Sequence, residues 1–208
     1  MSKVIFLNGC AATGKTTLAK EIQNLSKEKF LYVGIDALFG AIPKKLVGFG
    51  KQAEERFRYV VDPKTGALTE MKVSSYAIQV FSCLPKVVKL LADNGLNVIF
   101  DECNFVKKSD TEFLIDDYKT LFSSHQFYII GVKVKDLETL EQREKKSKKE
   151  SRKDRVLGMA KIFYHSEESF NYSYDLIVDN TAKSPSDNAK KILKFIESNK
   201  SQSFAKNN

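Results

Sequence analysis

The sequence predicts an α/β fold, a five-stranded and mainly parallel sheet with helices on both faces, and three observations carry that expectation. Strand-like apolar runs alternate with helix-period segments along most of the 208 residues. The first run, Val4-Ile5-Phe6-Leu7, enters Asn8-Gly9-Cys10-Ala11-Ala12-Thr13-Gly14-Lys15-Thr16-Thr17, a complete GxxxxGK[ST] phosphate loop. Carboxylates close two further runs, Asp36 after the second and Asp101-Glu102 after the third. Right-handed crossovers between parallel strands bring all three features to the carboxyl edge of the sheet, where such sheets bind ligands. The architecture expected is that of a three-layer P-loop NTPase.

Each element has its own signal. The first strand, Lys3 to Asn8, is apolar throughout, and the helix from Lys15 to about Lys27 repeats Leu18, Ile22 and Leu25 on one face. A second strand spans Phe30 to Ile35. After an irregular stretch with Ile42-Pro43 and Gly48-Phe49-Gly50, Arg56–Val61 and Ala67–Lys72 flank Asp62-Pro63-Lys64-Thr65-Gly66, which reads as a hairpin. A long amphipathic helix, Ser74 to Asp93, stops at Asn94-Gly95. Then come a strand over Asn97–Phe100, a helix over about Asp110–Leu121 and a strand over Gln126–Lys133. Helices over Leu137–Lys149 and Arg155–Tyr164, a strand over Leu176–Val178 and a helix over Ser186–Asn199 complete the order. One domain is expected over residues 1–199, with a substrate-side insertion at about 43–73, a helical lid at about 137–160 and a disordered polar tail at 200–208.

The phosphate loop predicts binding of a nucleoside triphosphate. Gly9 and Gly14 let the backbone wrap an anion, so that the N–H groups of Cys10, Ala11, Ala12, Thr13, Gly14, Lys15, Thr16 and Thr17 can face the phosphates. Lys15 is expected on the β/γ oxygens and Thr16 on Mg²⁺, with the helix N-terminus adding its dipole. Asp101, after Val98-Ile99-Phe100, stands where a carboxylate supports the metal or its waters. For Asp36 two roles stand side by side: a general base for an acceptor hydroxyl, or a cap for the helical turn Ala37-Leu38-Phe39.

The formal charge of +8 is concentrated. Between Arg143 and Arg155 there are eight Lys or Arg residues against three acids, a pattern shared by a solvated helix, a nucleic-acid patch and a cation-rich lid over a triphosphate. Cys10, Cys83 and Cys103 are odd in number and lack metal-type spacing, so neither a disulfide framework nor a zinc site is expected. Met1-Ser2-Lys3 leads directly into strand, and no apolar run reaches the roughly 20 residues of a membrane span. A cytoplasmic location is therefore expected. His125 and His165 have no partner at metal-ligand spacing and read as structural.

Beyond these physical signals, the chain resembles the chloramphenicol phosphotransferase-like family of small-molecule kinases. The resemblance runs through Leu7-Asn8-Gly9 and the loop, Gly34-Ile35-Asp36-Ala37-Leu38 with Ile42-Pro43, Asp101-Glu102, Val132 to Arg143, Arg152-Lys153-Asp154-Arg155-Val156-Leu157-Gly158-Met159-Ala160, and Asp175 to Thr181. It implies ATP- and Mg²⁺-dependent transfer of the γ-phosphoryl group to an acceptor hydroxyl, as chloramphenicol 3-O-phosphotransferase does. It also implies Asp36 as the base, Arg152 and Arg155 as lid arginines, and Asn180-Thr181 beside the adenine. Arg143 matches a family position as well, although a helix residue among other charges equally suits a solvated face. Two departures concern the acceptor side: the lysine-rich stretch Lys145–Glu150 and the composition from Gly48 to Lys72, where Phe49, Phe57 and Tyr59 are candidates for an apolar acceptor pocket. The alternatives are a kinase of a nucleotide sugar or nucleic-acid end, and a nucleotide-gated nucleic-acid-binding protein without kinase activity. The acceptor, the preference between ATP and GTP, and the oligomeric state are not read from the sequence.

Overall fold

In a computed structural model, which describes residues 1–43, 46–48, 57–103, 114–150, 156–168 and 173–205, five strands make one sheet. They are β1 (Lys3–Asn8), β2 (Phe30–Gly34), β6 (Asn97–Glu102), β7 (Gln126–Lys133) and β8 (Leu176–Asp179), in the order β2-β6-β1-β7-β8. All four pairings are parallel. β1 lies at the centre and all six of its residues are buried, as a strand covered on both faces must be.

Side chains two apart on a strand share a face, and this alternation sorts the core into two layers. Val4, Phe6, Val98, Phe100 and Ile129 face one side, packed by Leu84, Val88 and Ala92 of α4 (Cys83–Asp93) and by Tyr118 and Phe122. Ile5, Leu7, Ile99, Tyr128 and Ile130 face the other, covered by Leu18 and Ile22 of α1 (Lys15–Leu25) and by Ala189, Ile192 and Ile196 of α8 (Pro185–Ala205). An aromatic column stiffens the first layer: Phe6 stacks on Phe100 at 4.6 Å, and Phe122 lies 4.7 Å from Phe127.

A second, three-stranded sheet holds β3 (Val47–Gly48), β4 (Phe57–Val61) and β5 (Leu68–Val73). β4 and β5 form the expected antiparallel hairpin, with a register irregularity at Val60/Val61. Its turn closes because Asp62 Oδ1 accepts the N–H groups of Lys64 and Thr65 while Gly66 takes φ +65°. A small apolar cluster of Ile42, Ala77 and Phe81 seats this sheet on α2 (Ile35–Ala41) and α3 (Ser75–Phe81).

Several expected elements differ in extent. The helix expected over Ser74–Asp93 is two helices, α3 and α4, divided at Ser82, because Pro85 has no N–H to give the carbonyl of Phe81. By length and composition alone Ser75–Asp93 is apolar enough to cross a membrane, and Leu84, Pro85, Val88 and Ala92 are buried in this fold. β6 extends through Asp101 and Glu102, so both acids are strand residues. Of the helix expected at about Asp110–Leu121, the described part is a 3-10 turn, Leu114–Asp117, and the short α5 (Tyr118–Leu121). α6 covers Leu137–Glu150, and α7 covers Met159–Glu168 because Gly158, at φ +99°, cannot be helical. α8 continues to Ala205 instead of ending near Asn199; neither Gly nor Pro interrupts it there.

Truncating the stacked ring in Phe100→Ala is expected to cost about 3–5 kcal/mol, whereas Leu31→Ala, 44% exposed on edge strand β2, should stay within about 1 kcal/mol. Urea denaturation of the two variants checks the contrast.

Candidate active site

The site begins where β1 runs out. Gly9 is obligatory, since a Cβ there would collide with the Val132 carbonyl, and Gly14 adopts φ +90° with the Asn180 amide 2.7 Å from where its Cβ would stand. Ala12 takes φ +65°, the only non-glycine residue with positive φ among those described. The loop between is held at several points. Thr13 Oγ1 donates to Cys10 O at 3.0 Å, and Asn180 Nδ2 donates to Thr13 O at 2.6 Å. Lys15 Nζ donates to Gly9 O (2.8 Å) and Cys10 O (3.0 Å), so its ammonium lies folded inside the cradle it is expected to serve. Thr16 and Thr17 follow in the first turn of α1.

Asn180 is itself positioned by three elements. Its N–H donates to Lys133 O (2.7 Å), its Oδ1 accepts from Asn188 Nδ2 of α8 (3.0 Å), and its carbonyl accepts from Arg143 Nη2 of α6 (2.8 Å). The same guanidinium donates to Thr181 O at 3.1 Å. Of the two readings open for Arg143, the solvated face is therefore the one set aside: the side chain clamps the Asn180-Thr181 turn that buttresses the loop. Asn188, fully buried, had no sequence signal beyond lying in an amphipathic helix.

On the other side of the loop the register sets Leu7 beside Asp101 and Asp101 beside Gly34. Asp101 Oδ2 lies 3.4 Å from Thr16 Oγ1. The Tyr32 hydroxyl of β2 donates to Asp101 Oδ2 at 2.7 Å and lies 3.2 Å from Thr16 Oγ1. Thr16 and Asp101 offer oxygen donors only, which suits a hard cation such as Mg²⁺. Among the described residues no group of three His, Cys, Asp or Glu side chains could hold a metal, so phosphate oxygens and water would complete the shell.

Asp36 stands in the first turn of α2 and is exposed. It is within the helix, not ahead of it where a cap sits, and there it complements the dipole. Burial raises the pKa values of Tyr32, Asp101 and Cys103 on the loop side and of Tyr59 on the hairpin side, and the charge of Asp36 adds to each. Asp36 thus lies between the phosphate loop and the second sheet. Arg152 and Arg155, and with them Phe49, lie outside the described residues. His125 Nε2 contacts Asp93 Oδ1 at 2.9 Å and His165 lies edge-on to Tyr164.

Burial dominates the electrostatics. It disfavours the Lys15 ammonium, yet the groups it meets, the Cys103 sulfur and Asp101 foremost, hold its pKa above the ordinary lysine value. Burial pushes Asp101 up against the opposing pull of Lys15 and Tyr32. Cys103, whose Sγ lies 3.3 Å from Lys15 Nζ, is likewise raised by burial and stays a thiol. Glu102 is driven to about 8 by burial, although Tyr118 donates a 2.6 Å hydrogen bond to it. Between about pH 4.5 and 8 the unfolded chain has released this proton and the folded chain has not, so the native state loses stability as pH rises through that window. Glu102→Gln keeps an acceptor for Tyr118 without the charge. Its stability relative to the parent is expected to rise from about pH 5 to about pH 8 and then level off; urea titrations across pH in the absence of nucleotide check this, and a pH-independent difference would rule it out.

The assembled geometry matches known proteins at two depths. Solved structures share the fold at low identity. A gluconokinase from Sinorhizobium meliloti superposes with TM-score 0.62 at 8% identity, covering 100% of this chain and 98% of that one. The Mycobacterium tuberculosis APS kinase, solved with AMPPNP and APS, gives 0.58 at 13%, covering 94% and 98%. Shikimate kinase from Acinetobacter baumannii, solved with shikimate, gives 0.53 at 14%, covering 96% of each chain. The fold is therefore that of the P-loop kinases. Among curated proteins, a provisionally named O-phosphotransferase of Mycobacterium tuberculosis is 28% identical over 138 residues, 65% of this chain. The match spans 59% of that relative's length. The family model for chloramphenicol phosphotransferase-like proteins matches residues 2–197, nearly the whole chain, and with the phosphate loop, Asp36 and Asp101 standing at one sheet edge, the chain belongs to that family.

Proposed function

We propose that this protein is an ATP- and Mg²⁺-dependent O-phosphotransferase that moves the γ-phosphoryl group to the hydroxyl of a small molecule, as chloramphenicol 3-O-phosphotransferase does. The observation that carries the reading is the meeting of three chemistries at the carboxyl ends of β1, β2 and β6: a phosphate cradle, a metal-supporting carboxylate and an exposed carboxylate. In this reading Lys15 leaves the carbonyls of Gly9 and Cys10 for the β/γ phosphate oxygens, which offer it a stronger, charge-assisted hydrogen bond. The loop N–H groups from Cys10 to Thr17 take the remaining phosphate oxygens. Thr16 and Asp101 hold Mg²⁺, which when bound neutralises charge on the β and γ phosphates. Asn180 and Thr181, fixed by Arg143, border the adenine.

The acceptor enters from the side of the hairpin, where Tyr59 and Asp36 share an electrostatic neighbourhood. Asp36 takes the proton of the acceptor hydroxyl, the acceptor oxygen bonds to the γ-phosphorus, and the bond from that phosphorus to the bridging oxygen breaks to release ADP. Arg152 and Arg155 neutralise the transferring group from the lid. An acceptor with an apolar body, of which chloramphenicol is one example, would meet Tyr59 on the hairpin side.

ATP consumption with Mg²⁺ is measured against a panel of hydroxyl-bearing acceptors that includes chloramphenicol, nucleotide sugars and nucleic-acid 5′ ends. Acceptor-stimulated turnover is expected for a small molecule, falling about 10²–10⁴-fold in Asp36→Asn, the range contributed by a general base, and lost in Lys15→Ala. Tight nucleotide binding without stimulation by any acceptor, together with an Asp36→Asn variant indistinguishable from the parent, would overturn the assignment.

A further inference from the structure

β2 is an edge strand, and most of its side chains have ordinary roles: Phe30 packs under α1, Val33 on the opposite layer, and Leu31 is exposed. Tyr32 differs. Its ring packs with the second layer while its hydroxyl reaches Asp101 Oδ2 at 2.7 Å and Thr16 Oγ1 at 3.2 Å. A tyrosine on this strand needs no such contact for packing, and the two residues it meets are the two expected to support the metal.

The strand is built to admit that hydroxyl. Residues two apart share a face, so the residue at position 34 lies on the side toward which Tyr32 reaches. That residue is Gly34. A Cβ there would stand 2.6 Å from the Tyr32 hydroxyl oxygen, 3.1 Å from Cζ and 3.3 Å from Asp101 Oδ1. Gly34 has no positive φ and closes a regular strand, so backbone conformation does not account for the missing side chain; the space does.

We propose that Tyr32 is a positioning residue for the Mg²⁺–nucleotide complex: it fixes one oxygen of Asp101 and accepts the hydroxyl hydrogen of Thr16, and Gly34 exists in this strand to make room for it. The inference rests on the O-phosphotransferase reading and extends it to two residues that reading does not use. The chemistry is direct. A threonine hydroxyl that turns a lone pair to a cation must send its hydrogen elsewhere, and the Tyr32 oxygen and Asp101 Oδ2 are the acceptors at hand. A phenol that gives its own proton to Oδ2 leaves its lone pairs free for Thr16 and Oδ1 free for the metal or its water. An ordinary phenol is neutral at physiological pH, so the group donates without adding an anion beside Asp101. Partners of this kind set metal affinity without touching the metal.

Affinity for a fluorescent ATP analogue is titrated against Mg²⁺, and separately in EDTA, for the parent, Tyr32→Phe, Gly34→Ala and the double variant. Thermal melting without nucleotide is recorded in parallel. Tyr32→Phe is expected to raise the Mg²⁺ concentration at half-effect by about 10-fold, with the affinity in EDTA within about twofold of the parent and melting little changed. Gly34→Ala should reproduce the shift by displacing the hydroxyl, and in the Tyr32→Phe background it should add no further shift. A parent whose nucleotide binding ignores Mg²⁺ overturns the kinase reading together with this inference. A parent that responds to Mg²⁺ and a Tyr32→Phe variant that responds identically overturn this inference alone. Should Gly34→Ala not fold, Tyr32→Phe, which keeps the ring, decides by itself.

Discussion

The parallel register of three strands is the constraint on which the site depends. Leu7 pairs with Asp101, and Asp101 pairs with Gly34, so the phosphate loop, the buried acid and the turn into Asp36 leave the sheet on one line. A one-residue slip in β6 would send Asp101 to the opposite face and bring Phe100 or Glu102 beside Thr16. The register is held by what lies below it: Phe6 pairs with and stacks on Phe100 on one layer, and Ile5 pairs with Ile99 on the other. The core of this protein is thereby part of its chemistry, since it decides which carboxylate reaches the loop.

Given that line, the polar groups at its end are burdened by desolvation. Lys15, Asp101 and Glu102 are all buried, and each is tolerated because another group answers it. Lys15 is answered by loop carbonyls and by Asp101, Asp101 by Tyr32, and Glu102 by Tyr118. Glu102 completes a division of labour between neighbours. Residues alternate on a strand, so Asp101 faces the loop and Glu102 faces the aromatic layer, where its pKa near 8 keeps it largely protonated at neutral pH. Two adjacent acids therefore contribute close to one negative charge beside the loop, and Lys15 is correspondingly easier to transfer to a phosphate.

The parts of the site that were legible in the sequence are those built from short contiguous motifs. Gly9 to Thr17 announces itself by spacing, and Asp101 by the apolar run before it. What was not legible is what depends on residues far apart meeting. Asn180 meeting Thr13 and Arg143 meeting the turn at Thr181 join residues more than thirty positions apart, Asn188 meets Asn180 across the turn into α8, and nothing local in an amphipathic helix marks one asparagine or arginine among several. Tyr32 is the instructive case. Tyr-x-Gly in a strand puts a large side chain and an empty position on one face, a signal that was present and that points to the tyrosine's hydroxyl needing space. The break of the helix at Ser82 had a signal too, Pro85, outweighed in the reading by the continuous apolar period on either side.

The second sheet and the helices after β7 answer a different requirement, since in the proposed reaction an acceptor would be held against a site that other elements build. The backbone joins them directly. Leu68 N of β5 donates to Leu157 O at 2.6 Å, and Gly158 has no space for a Cβ because the Leu68 backbone stands 2.7 Å from where it would be. Glu144 of α6, nearly fully buried, accepts the N–H groups of Gly158 (2.8 Å) and Ala160 (3.1 Å), a carboxylate at the start of α7 where the dipole favours it. Hairpin, α6 and the start of α7 are thus tied by three backbone-directed hydrogen bonds, none of which tolerates a sliding displacement of an ångström. The residue just before Glu144, Arg143, holds the Asn180-Thr181 turn, and Asn180 holds Thr13. A continuous chain of hydrogen bonds and close packing runs from the hairpin to the phosphate loop, so the side proposed for the acceptor and the phosphate side are set by the same few contacts.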